Sequence, residues 1–175
     1  MTISAHLTPD PERRLWIIFE SMRHSVEWAD RRIGALTAFA AAELAVIRVL
    51  APAGPLGLLV LASLSVALPL GVLAFSQLTG TPKRLPFLDP PSDKPSASDN
   101  MISADDIAKY THQELIGRLD RYLGGGITST QYYEDLVGQI VILARIASRK
   151  QRLFRAACVL VGVAQLGLLG HLIRR

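Results

Sequence analysis

The chain has 175 residues, about one domain by length, and half of them are hydrophobic while only 6% are aromatic. Its apolar content is Ala, Leu, Val and Ile gathered into blocks, with a mean hydropathy of +0.29; this describes a membrane protein with a water-exposed part and argues against an ordinary soluble domain. The net charge of +4 does not indicate nucleic acid, because the basic residues flank apolar blocks and do not cover one soluble face with interleaved aromatics.

The first residues, MTISAHLTPDPERR, contain no apolar run of the kind a signal peptide needs, so the N-terminus is expected to stay in the cytosol. Asp10 is the expected N-cap of a first helix, with Pro11 at its first position. Leu15, Ile18, Phe19, Met22, Val26, Ala29 and Ile33 then recur at helical spacing. No breaker separates this cytosolic stretch, residues 1–32, from the first apolar segment, residues 33–50, which is interrupted by Glu43 and Arg48. A tight hairpin through APAG leads to a second segment, residues 55–78, which is free of charge and contains Pro69. Each segment is long enough to cross a hydrocarbon core of about 30 Å.

Residues 79–102 are rich in Pro, Ser and Asp and read as a flexible linker. A cytosolic helical pair is predicted over residues 103–152. Its first helix starts at Ser103, where Ser103 and Asp106 resemble a capping box. The helix shows a stripe of Ala108, Leu115, Ile116, Leu119, Tyr122 and Leu123, and ends at Gly124, Gly125 and Gly126. Ser129 or Thr130 caps the next helix, whose core face is Tyr133, Leu136, Val137, Ile140, Leu143, Ala144 and Ala147. This pattern runs without a break into a third apolar segment, residues 153–175 with the short tail. The fold class predicted is therefore an all-α membrane protein: three transmembrane helices and a small cytosolic helical bundle, with the first and last helices continuous from cytosol into membrane. Ten Lys/Arg lie between Thr79 and Arg152 and five precede Ile33. This bias orients the N-terminus and the polar region to the cytosol of a multi-pass protein in the bacterial inner membrane.

No catalytic constellation is present. His6, His24, His112 and His171 are scattered, the single Cys158 lies in an apolar run, and the triple glycine lacks the Lys-Ser/Thr of a phosphate loop. The chain is expected to be no enzyme and to hold neither metal nor cofactor. Two sets of residues stand out instead. Arg145, Arg149 and Arg152 share one helix face, and Arg31 and Arg32 sit at the matching depth on the first helix. They form either a basic belt for anionic headgroups or a site for a phosphate-bearing ligand, with Trp28 and Tyr133 as candidates to stack a base. The second set is Glu43, Ser65 and Gln165, polar groups at similar depth in the three apolar segments. An ionisable group there is a functional candidate by default. Glu43 is expected to meet Gln165, within a subunit or between subunits, as helix glue or as the lining of a pore in an oligomer.

Three stretches carry a resemblance to a known family: ADRRIGALTAFAAAELAV from Ala29, TPKRLPF from Thr81, and the tract from Asp105 to Ala157 with YYEDLVGQI and RKQRLFR. With them the chain resembles the transmembrane effector family of bacterial Pycsar anti-phage systems. The resemblance implies a non-enzymatic effector that senses cyclic CMP or cyclic UMP made by a partner nucleotide cyclase and impairs the inner membrane, causing abortive infection. It implies no particular nucleotide-binding residue. The alternative reading is a structural or scaffolding membrane protein that binds a protein partner through its cytosolic helices.

Overall fold

The computed structural model describes residues 11–50, 54–75, 94–123 and 131–173. These form five helices: α1 (Pro11–Leu50), α2 (Pro55–Phe75), α3 (Ala104–Ile107), α4 (His112–Leu123) and α5 (Gln131–Ile173). There is no strand among the described residues. Asp10, Lys83 and Arg84, the triple glycine and the Ser129/Thr130 cap fall outside them. The chain divides into two compact units: residues up to Val26 with Asp89–Ser148, and Glu27–Leu88 with Arg149–Arg175.

The first unit is built on amphipathic helix faces. Leu15, Ile18 and Met22 of α1 pack with Leu115 and Leu119 of α4 and with Tyr133, Val137, Ile140 and Ala144 of α5; Met101, Ile107 and Tyr110 complete the core. All of these are stripe residues at 3.6 spacing except the last three. Each large aliphatic side chain so buried contributes roughly 1.5–3 kcal/mol.

The helix predicted from Ser103 is instead broken. α3 is four residues long, and its N-cap Ser103 makes no side-chain cap bond. The expected Ser103–Asp106 box fails because the Asp106 carboxylate is used elsewhere: it accepts from Asn100 N at 3.2 Å and from Lys109 Nζ at 2.7 Å. The reciprocal box lies eight residues on. Thr111 Oγ1 accepts from Glu114 N at 3.4 Å, and Glu114 Oε2 accepts from Thr111 N at 2.9 Å. This pair starts α4, because glutamate, one methylene longer than aspartate, reaches back to the cap. Tyr122 of the predicted stripe is exposed.

The last part of the predicted linker is hydrogen-bonded. Asp99 Oδ2 accepts from Ser96 N at 2.7 Å and from the Tyr110 hydroxyl at 3.0 Å, while Asn100 Oδ1 accepts from Ile102 N at 3.0 Å. The bonds from Ser96 and Tyr110, with one from Lys109, hold the Asp99 carboxyl below its ordinary range, the Ser96 backbone bond most of all.

The second unit contains α2, the C-terminal part of α1 and the C-terminal part of α5. Gly54 has φ +96°, a left-handed conformation that favours glycine, and Pro55 follows as the first residue of α2. Ala40 and Ile47, Val60 and Leu64, and Val161 and Ala164 form one buried cluster; Ala29, Ile33, Ala74 and Leu153 form another. Small residues set the helix spacing. A Cβ on Gly71 would lie 2.3 Å from Thr37 Oγ1, and one on Gly167 would lie 2.6 Å from Val60 Cγ2. Thr37 Oγ1 also donates to Ile33 O at 2.8 Å. Close backbone approach through glycine is the packing used where no hydrophobic effect drives helices together.

The outward face of this unit is apolar. Leu58, Val159 and Leu166 are 70%, 66% and 71% exposed. α2, at 21 residues, is about 31 Å long at 1.5 Å per residue. Among the described residues two helices, α2 and α5, are long and apolar enough to cross a membrane. α1, whose second half carries Glu43 and Arg48, is not clearly a third. It nevertheless runs unbroken from Pro11 to Leu50, as α5 does from Gln131 to Ile173. Neither helix meets a proline after its first position.

Candidate functional site

The basic and aromatic residues singled out from sequence are divided between the two units. Tyr133 and Arg145 belong to the first unit; Trp28, Arg31, Arg32, Arg149 and Arg152 belong to the second. Arg145 donates from Nη2 to Tyr110 O at 3.1 Å and so secures the chain between α3 and α4. Tyr133 is 5% exposed, part of the core and not open to stack a base. Burial pushes its hydroxyl up, with Asp120 adding to the effect. Trp28 and Arg32 do come together: the guanidinium carbon lies 4.7 Å from the indole centroid, a cation–π pair at an exposed i, i+4 position.

A residue that sequence reasoning left aside is Asp30. Its carboxylate accepts a short hydrogen bond from Lys150 Nζ, and Lys150 is 4% exposed. The two lie 120 positions apart, so no local pattern announces the pair. It ties α1 to α5 inside the second unit, where the apolar stretches of both helices begin.

Of the intramembrane candidates, Glu43 Oε2 is buried with no hydrogen-bond partner among the described residues. That oxygen therefore makes no bond to Gln165 within the chain. Gln165 is half-buried and Ser65 is exposed on α2.

Sequence reading also passed over a cleft of about 390 Å³ in the first unit. Ser96 and Tyr110 form one side of it, and Gln113, Gly117, Arg118 and Arg121 of α4 the other. Gln113, Gly117 and Arg121 are spaced four apart and so share a helix face. Arg118 Nη2 donates to Ala97 O, and its Nε is buried without a partner among the described residues. Arg121 Nε donates to Gly117 O at 3.0 Å, which leaves its two terminal amino groups for other use. Glu114 also lines the cleft; its Oε2 is engaged by Thr111. The volume lies within the range of about 300–1,000 Å³ usual for small-ligand sites.

The model of the Pycsar effector protein domain, PycTM, matches residues 14–173. The chain belongs to the Pycsar effector family. Membership gives it a part in anti-phage defence as an effector, and the two apolar helices agree with a place in the membrane. No curated protein and no solved structure matches the chain. The match covers both units, so neither is an addition to the family's domain.

Proposed function

We propose that this Pycsar effector binds a cyclic pyrimidine nucleotide, cyclic CMP or cyclic UMP, through its first unit in the cytosol, and impairs the bacterial inner membrane through its second. The effector is not an enzyme in this reading, and a partner cyclase supplies the ligand. The observation that carries it is the family match over 14–173. The apolar outward face of the second unit supports the membrane half of the reading. The charge bias of the sequence supports a cytosolic N-terminus.

Three spans are proposed, with α1 as the third beside α2 and α5. α1 and α5 each supply side chains to both cores. Leu15 and Met22 of α1 serve the first, and Ile33 and Ala40 the second; Val137 and Ile140 of α5 serve the first, and Leu153 and Val161 the second. A ligand that favours one arrangement of the first unit therefore biases the same two helices where they lie in lipid. It shifts that equilibrium only by its difference in affinity for the two states.

Three helices enclose no conducting lumen, so the active form is an oligomer. Glu43, an ionisable group within the apolar half of α1, is read as sitting at a contact between subunits, with Gln165 of a second copy as its partner, or as facing a water-filled path. An ionisable group at that depth is costly in a bilayer. Calorimetry of full-length protein in lipid nanodiscs tests the sensing step. Heat of binding with cyclic CMP or cyclic UMP is expected, and folded protein that binds neither overturns it.

A further inference from the structure

The cleft against α4 carries an observation that packing does not explain. Gly117 lies inside α4, where glycine destabilises a helix relative to alanine. A Cβ placed on it would meet nothing within 4 Å. Gly71 and Gly167 are required by the helices they touch, and Gly117 is not. What Gly117 does is line the cleft, so that the bare helix backbone forms part of its floor. A bare stretch of main chain of this sort suits a ligand that must come close to the backbone.

The wall beside it has the donors an anion needs. Among the described residues the terminal amino groups of Arg121 have no acceptor, and Arg118, held to Ala97 O through Nη2, lines the cleft beside it. Planar guanidinium groups pair with phosphate oxygens in two-pronged fashion. One turn before Gly117, Gln113 offers an amide with one acceptor and one donor edge. Across the cleft, Ser96 adds a hydroxyl, already paired with Ser98 at 3.0 Å. Glu114 is the one acidic lining residue, and its engagement by Thr111 leaves the two arginines dominant.

We propose that this cleft is the ligand site of the first unit. A ribonucleotide monoanion lies over Gly117, with its phosphate on Arg118 and Arg121 and its pyrimidine edge toward Gln113. Because an amide can present either edge, Gln113 accommodates the donor–acceptor pattern of cytosine or of uracil. The inference rests on the nucleotide-sensing reading above and names the site for it. It sets aside the basic residues Arg31 and Arg32, which lie in the other unit.

The test is calorimetry of the full-length protein in nanodiscs with cyclic CMP and cyclic UMP, using three variants beside the wild type. Gly117→Leu adds bulk at the cleft floor, where a Cβ meets nothing within 4 Å, and raises helix propensity, so its melting temperature is expected to equal or exceed that of the wild type while binding is lost. Arg121→Gln, at an exposed position, removes one charged donor and is expected to weaken binding roughly tenfold to a hundredfold, as loss of a charged hydrogen bond does. Arg31→Gln is expected to bind as the wild type does. Wild-type affinity in Gly117→Leu or Arg121→Gln overturns this site while leaving nucleotide sensing intact, as does loss of binding confined to Arg31→Gln. A wild type that binds neither nucleotide overturns the sensing reading and this site with it.

Discussion

Gly167→Ala is the sharpest probe of the second unit. The added Cβ would lie 2.6 Å from Val60 Cγ2 and 3.5 Å from Leu59 Cδ2. Carbon pairs rest at about 3.5–4.0 Å, so the first contact is short by roughly 1 Å. Val60 is fully buried, and as a β-branched residue in a helix it has one strongly preferred χ1 rotamer, so it does not simply swing away. α2 and α5 must part instead, at a cost of about 1–3 kcal/mol for an overpacked core. Val60→Ala removes the offending methyls, so the double variant should recover part of that loss. The recovery is a coupling of about 1 kcal/mol in a double-mutant cycle. Thermal unfolding in detergent micelles measures all four proteins. A Gly167→Ala protein as stable as the wild type, or a double variant whose losses simply add, refutes the close approach of the two helices.

Lys150→Met leaves the Asp30 carboxylate unpaired in the second unit. Removing one partner of a fully buried pair costs about 3–5 kcal/mol; the 36% exposure of the Asp30 side chain lowers the expectation to about 1–2 kcal/mol. Adding Asp30→Leu should restore stability, and a melting temperature unmoved by Lys150→Met contradicts the role of the pair. Thr111→Ala removes the cap of α4 and should cost about 1 kcal/mol, read by denaturant unfolding. Acid should unfold the first unit through Asp99 and Glu114, both held below their ordinary range by hydrogen bonds to backbone N–H groups. Their contribution is full above the unfolded value near 4 and is lost as pH falls through the lower folded value. Asp99→Asn should flatten that acid limb in a pH series of melting temperatures, and an unchanged limb contradicts it. Glu43→Leu should abolish membrane damage if Glu43 lines the path, and undiminished damage ends that idea.

The long helices were legible because their signals are local and agree. Apolar spacing from Leu15 to Ile33 and from Tyr133 to Ala147 names the buried faces, and no breaker interrupts either run. The break before α4 was not legible for a physical reason. Ser103 with Asp106 reads as a cap, but Lys109 and Asn100 take the Asp106 carboxylate, and the box that forms is Thr111 with Glu114. The Asp30–Lys150 pair spans 120 positions, beyond any local pattern. Arg145 reads as a ligand group from its charge, whereas the fold uses it to hold the Tyr110 carbonyl; Tyr133, read both as a core position and as a candidate to stack a base, lies in the core. The cleft had a signal in the sequence: a glycine inside a helical pattern, four residues from a glutamine and four from an arginine. Its other side, at Ser96 and Tyr110, comes from a loop whose course depends on the Asp99 hydrogen bonds.

The most direct measurement is leakage from vesicles. Full-length protein is reconstituted into phospholipid vesicles holding a quenched dye, and cyclic CMP or cyclic UMP is added to the side facing the first unit. Dye release that depends on one of these nucleotides, and that Gly117→Leu abolishes, is the expected result. Vesicles that stay sealed with either nucleotide, or that leak equally without them, contradict the claim that this effector couples a cyclic pyrimidine nucleotide to damage of the membrane.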